Sequence, residues 1–195
     1  MKRMLPILLL ALLAGTWWWL SRPVRRPPGV VAPAAPRQTS VTVGTPFNRR
    51  GYAVRPLARF QLRARVLSAR RYWLDRDARV SPLDLALGWG RMSDSKVLKD
   101  IKISQYNRFY FWRVKSFPIP EQELCRSSAN MHIIPGNSAV GWQLWRIRRG
   151  HVVEIDGYLV KVTGKKGYRW ISSMSRADTG RGACEVVWVD KLTLH

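Results

Sequence analysis

The sequence predicts an α+β domain, mainly antiparallel β. It takes the form of a small, partly closed sheet or barrel with two or three short helices, preceded by one N-terminal transmembrane helix. Three observations predict this. From about residue 51 onward, runs of β-branched and aromatic residues recur between Gly, Pro and Asp punctuation. The stretch NSAVGWQLWRIRRG carries the clearest helical pattern, signalled at both ends. The chain has 195 residues, 46% hydrophobic with ten Trp, which is room for one packed core plus an extension.

The extension comes first. Met4 to Leu20 is an uncharged apolar run with Lys2 and Arg3 before it. As a helix it would reach about 25 Å, the short end of what crosses a hydrocarbon core of about 30 Å. A signal peptidase site would show small residues after the run, but Trp17, Trp18, Trp19 and Leu20 stand there. The nearest A-x-A, Ala32-Pro33-Ala34, is far downstream and contains Pro, and no Cys follows the run for lipid attachment. Consecutive Trp suit a membrane–water boundary, with Arg22, Arg25 and Arg26 placed to meet phosphates. A retained anchor over residues 1–21 is therefore expected rather than a cleaved signal.

A count of flanking Lys and Arg slightly favours a cytoplasmic domain. A short basic N-terminus followed at once by an apolar run is instead the export pattern. The reading adopted is a single pass through the inner (cytoplasmic) membrane with the C-terminal domain in the periplasm. Residues 22–50, rich in Pro and Arg, read as an extended linker, and residues 51–195 as the globular domain.

Within the domain, Phe60, Leu62, Ala64 and Val66 alternate with Arg59, Gln61, Arg63 and Arg65, a strand with one basic face. Ser81-Pro82-Leu83-Asp84 has the form of a helix start, ending near Gly88-Trp89-Gly90. A further helical turn is expected within residues 93–100 and a helical piece around residues 121–126. Strands are expected at residues 101–105, 109–114 and 131–134. Asn137 caps the clear helix and Gly150 ends it, with Arg in its last turn. Ala139, Val140, Gln143, Leu144 and Ile147 share one face of that helix, and Trp142, Trp145, Arg146 and Arg149 the opposite one. Asp156-Gly157 between two β-forming runs signals a hairpin, and strands follow at residues 168–172 and 183–189.

Charge narrows the partners. The chain has 34 basic and 12 acidic residues, and the excess is concentrated before residue 80. Such a field favours lipid head groups, an anionic polymer, an acidic protein face or, less favoured, nucleic acid; the alternative is that the charges are merely solvated. The Trp142, Trp145, Arg146, Arg149 face is the binding candidate, since indole and guanidinium stack on bases, sugars or head groups. Against this stands the possibility that another part of the domain covers these Trp.

Chemistry is sparsely signalled. Cys125 and Cys184 are either a disulfide, in an oxidising compartment, or two buried thiols. His132, His151 and His195 have no metal-ligand spacing, and no cofactor motif is present. A hydrolase set of His132, Asp178 and one of Ser172, Ser173 or Ser175 is conceivable, but no G-x-S-x-G elbow accompanies it. Asp178-Thr179-Gly180 matches the aspartic-protease tripeptide without its hydrophobic framing, and GKKG is a basic turn rather than a phosphate loop.

The strings LDLALGWGRMSD, SANMHIIPGN, GYLVKV and SRADTGRGACEVVWV, spread over residues 82–190, resemble a group of bacterial membrane-anchored proteins without assigned activity. The resemblance implies a bacterial source and an anchored domain. The expectation is thus a membrane-anchored, non-catalytic, basic domain that binds an anionic partner or joins an envelope assembly. The alternatives are an anchored hydrolase using His132 and Asp178, and nucleic-acid binding at the membrane.

Overall fold

The basic alternation around ARFQLRARV drives the longest strand of the molecule. The computed structural model describes Ile7, Leu12, Gly15, Thr16, residues 22–41 and 46–176, Asp178, Gly180 and residues 182–195. Among these residues the strands are β1 (Arg37–Ser40), β2 (Phe47–Arg49), β3 (Tyr52–Arg71), β4 (Leu83–Gly88), β5 (Ile101–Tyr106), β6 (Phe109–Val114), β7 (Ser128–Pro135), β8 (Val152–Thr163), β9 (Arg169–Ile171) and β10 (Glu185–Leu194). The helices are α1 (Ser95–Leu98), α2 (Glu121–Arg126) and α3 (Ser138–Arg146). The domain is therefore α+β and mainly β, as expected.

Five strands close a ring. The first part of β3 pairs with β8 and its last part with β4. Strand β4 pairs with β7, β7 runs parallel to β10, and β10 returns to β8. Register shifts at Pro56/Ala58 and Val66/Ser68 let β3 bend enough to serve both neighbours. Counted in chain order, the ring reads first, second, third, fifth, fourth, with α3 between the third and fourth strands. That connectivity is the Greek-key barrel of the OB-fold, which hosts many unrelated functions. The barrel is filled by Phe60, Leu62, Leu85, Leu87, Met131, Ile133, Ile155, Leu159, Val187 and Val189, and α3 packs Val140 and Leu144 into the same core.

Several expectations are corrected. LDLALG is strand β4, not a helix. Leu83, Leu85 and Leu87 face the barrel core, while Ala86 packs outward on Met92, Leu98 and Leu124. With both faces buried, the strand loses the polar alternation that would have announced it. The helical turn lies upstream instead, at Arg76–Arg79, capped by Asp75. Asp156-Gly157 is no hairpin, because β8 runs straight through it. A side chain at Gly157 would overlap the Trp188 carbonyl, so glycine marks a close approach of strands there. Helix α3 stops at Arg146, since Ile147 turns extended to enter the core; Arg149 therefore lies beyond the helix.

The stretch read as an extended linker is extended, and it is docked on the barrel. Val24 N–H donates to the Arg149 carbonyl (2.8 Å), and Gly90 N–H to the Ala32 carbonyl (2.8 Å). Gly29 N–H donates to Asp94 Oδ1, and Val31 and Ala32 N–H to Ser93 Oγ. Strand β1 then pairs with β3. Prolines leave fewer N–H groups to satisfy, and those of Val24, Gly29, Val31 and Ala32 find acceptors on the barrel. Order thus begins well before Gly51. The expected anchor falls, apart from Ile7, Leu12, Gly15 and Thr16, outside the described residues, and among the described residues no helix is long and apolar enough to cross a membrane.

Candidate functional site

Asn137 Oδ1 accepts the Val140 N–H (2.9 Å) and starts α3. Burial of Val140 and Leu144 then fixes the helix rotation, and the helical period turns Trp142 and Trp145 outward. They are 75% and 56% exposed, so nothing among the described residues covers them. Trp73, 66% exposed, lies 5.0 Å from the Trp145 ring, and Leu74 beside it is 99% exposed.

Arg71 builds the junction. Its guanidinium donates to the carbonyls of Leu144 (3.1 Å) and Trp145 (2.8 Å) and sits 5.2 Å from the Trp145 ring. It closes the helix C-terminus with a cation; burial lowers its pKa from the ordinary arginine value. Together with Arg50, Tyr72 and Trp142 these groups line a cleft of about 330 Å³, and none of its lining residues is acidic. Of the four expected binding residues, Trp142 and Trp145 line the cleft, whereas Arg146 and Arg149 are exposed outside its lining. Trp73, Leu74 and Arg71 were not expected. An adjacent Trp-Leu pair in a turn-rich stretch was the available signal.

The second site is a closed polar face. Asp84 and His132 are direct partners across β4 and β7, as are Ala86 and Asn130. Over this outer face lies the β5–β6 hairpin, whose tip residues Asn107 and Arg108 hold φ of 48° and 68°. Arg108 reaches in. Its guanidinium donates to Asp84 Oδ1 (2.8 Å), the Ser81 carbonyl (3.0 Å) and Asp75 Oδ1 (2.6 Å), and lies 3.7 Å from the Tyr72 ring centre. Burial disfavours both charges, but the Arg108–Asp75 contact wins: Asp75 is held below, and Arg108 above, its ordinary pKa. Asn130 Nδ2 donates to the Arg108 carbonyl and Gln105 Nε2 to Asn130 Oδ1, so the hairpin is latched at two levels.

The hydrolase set is not assembled. His132 is buried against Trp170, ring centres 4.5 Å apart. Its Nδ1 is 2.9 Å from Asp84 Oδ1 without hydrogen-bond alignment. Asp178 Oδ2 instead accepts from Ser173 Oγ (2.6 Å), and no contact joins it to His132 among the described residues. Ser172 Oγ braces backbone, accepting from Val186 N–H and donating to the Ser173 carbonyl.

Cys125 and Cys184 are free thiols, not a disulfide. They line one cleft of about 180 Å³ with Tyr110, Asn130, Arg176 and Glu185. Burial raises the pKa of both, Cys184 to about 11, so neither is an activated thiolate. Burial also lifts Glu185 to about 7, against the opposing charge of Arg176 at 2.6 Å, and Glu185 Oε2 has no hydrogen-bond partner among the described residues. Among the described residues no cluster of three or more His, Cys, Asp or Glu is arranged to hold a metal ion.

Two groups make opposing contributions to the pH dependence of stability. Glu185 is raised from 4.5 to about 7, so its stabilising contribution is lost as pH rises through that interval. His151 is lowered from 6.5 to about 4, first by burial and then by Arg148, Arg26 and Arg146, so its contribution is lost as pH falls. Each slope is at most about 1.4 kcal/mol per pH unit. Glu185→Gln is expected to leave stability rising with pH between about 5 and 6, and His151→Gln to leave it falling. Urea midpoints across that window check this; parallel profiles for wild type and both variants would contradict it.

No protein-family model, no curated protein and no solved structure matches this chain.

Proposed function

We propose that this chain is a membrane-tethered, non-catalytic binding module. Residues 4–20 hold it in the inner membrane, and the barrel is presented on the periplasmic side. The Trp–Arg cleft receives an anionic partner. One observation carries the reading: three exposed Trp and two Arg converge on one cleft without a carboxylate in its lining. Exposed aromatic clusters of this size mark interaction sites on soluble domains, and guanidinium beside indole favours an anion carried on a flat or apolar body. The unassembled His132 and Asp178 give the hydrolase alternative no support.

The test uses the full chain in zwitterionic nanodiscs, titrated with a soluble anionic polysaccharide and with single-stranded DNA over a salt series. Trp142→Ala with Trp145→Ala is expected to weaken binding about tenfold or more, by loss of stacking worth about 1–3 kcal/mol per ring. Affinity should also fall with added salt. Preference for DNA with base-dependent quenching would favour nucleic-acid binding. Binding unaffected by the Trp changes would remove the cleft from the account.

A further inference from the structure

The docked N-terminal stretch shortens the tether. A free chain over residues 22–50 would let the barrel wander far from the bilayer. Val24 is instead hydrogen-bonded to Arg149, and the chain is held along the barrel from there to β1. Leu20, the end of the apolar run, is only four positions from Val24. Fully extended, that stretch spans about 14 Å. Arg149 is in turn four residues from Trp145, again at most about 14 Å of chain.

Resting on the tethered reading above, we propose that the bilayer surface itself is the partner of the Trp–Arg cleft. The barrel lies with Trp73, Leu74, Trp142 and Trp145 in the headgroup layer and with flanking arginines on lipid phosphates. Three features fit a lipid surface better than a soluble polymer. Leu74 is almost fully exposed and offers neither stacking nor hydrogen bonding, so only an apolar medium rewards it. Indole prefers the boundary between hydrocarbon and water, where its N–H reaches a headgroup while its ring is shielded. Exposed Arg70, which acts on the cleft residue Tyr72, and Arg146, which follows Trp145 directly, add attraction to anionic head groups. The short tether keeps the barrel, and Trp145 with it, close to the end of the apolar run.

The experiment reconstitutes the full chain in nanodiscs containing a photo-activatable lipid and maps cross-linked peptides by mass spectrometry. Cross-links are expected in residues 72–75 and 142–146 as well as in the N-terminal segment. Anionic discs should label more than zwitterionic ones, and Arg146→Gln should lower barrel labelling by about fivefold in anionic discs. Leu74→Asp with Trp142→Asp should abolish barrel labelling while leaving that of the N-terminal segment. A variant with about 20 Gly/Ser residues inserted between Ser21 and Arg22 separates affinity from confinement. Persistent barrel cross-links support the proposal, and their loss overturns it. Cross-links confined to the N-terminal segment also overturn it; if the soluble polysaccharide then still binds in a Trp-dependent way, the cleft stands with a different partner. A chain that is not retained in the discs overturns the tether and the docking together.

Discussion

Arg108→Met is expected to destabilise the domain by about 3–5 kcal/mol, the usual cost of stripping a buried charge of its partner. Asp84 is fully buried, and Arg108 is its cationic partner; Asp84 Oδ2 already lacks a hydrogen bond. Methionine fills much of the volume but leaves that carboxylate, the Ser81 carbonyl and Asp75 facing an apolar side chain. The β5–β6 hairpin forms a sheet of its own and so depends on such contacts to stay down. Denaturant unfolding would read the loss, and amide exchange in residues 101–114 should accelerate more than in β8. Adding Asp84→Asn should restore a large part of the stability, since removing both charges is far less costly than removing one. A loss below about 1 kcal/mol in the single variant would show that the hairpin is not held by this contact.

Gly157→Ala should cost about 1–3 kcal/mol or prevent folding, although it adds a single methyl group. Gly157 is paired with Phe60 on one side and Val189 on the other, at the seam where β3, β8 and β10 meet. The added carbon would meet backbone, the Trp188 carbonyl, which has no rotamer by which to withdraw. Gly141 supplies the contrast. It lies within α3 with open space where a Cβ would go, so Gly141→Ala should stabilise by about 0.5–1 kcal/mol through helix propensity. Thermal melts of the two variants should therefore move in opposite directions.

These two positions also mark what was legible beforehand. The basic strand and α3 were readable because each has one buried and one solvated face, and period then carries the signal; the β5–β6 pair and α2 were readable from β-forming runs and from the Pro residues that break the chain. Strand β4 was not, because the barrel core takes one face and the α1–α2 and hairpin side the other, so its single polar residue, Asp84, is too little to mark a period. Asp156-Gly157 misled because local turn chemistry and a tight strand seam ask for the same residue. Of the site, Trp142 and Trp145 followed from helix geometry. Trp73 and Arg71 reach the cleft only through closure of β3 onto β4, and Arg108 reaches Asp84 across a hairpin fold. His132 stands out in the sequence, yet its neighbour Asp84 reads there as part of a helix start, which hides the pairing across β4 and β7.

Membrane sedimentation combined with intact mass decides the matter most directly. Cells expressing the full chain would be converted to spheroplasts, exposed to external protease, lysed and washed with alkaline carbonate. The tethered account predicts a pelleted chain of full length before protease, and loss of the barrel to external digestion afterwards. A chain shortened at its front and recovered in the osmotic-shock fluid, or a barrel shielded until lysis, would contradict it.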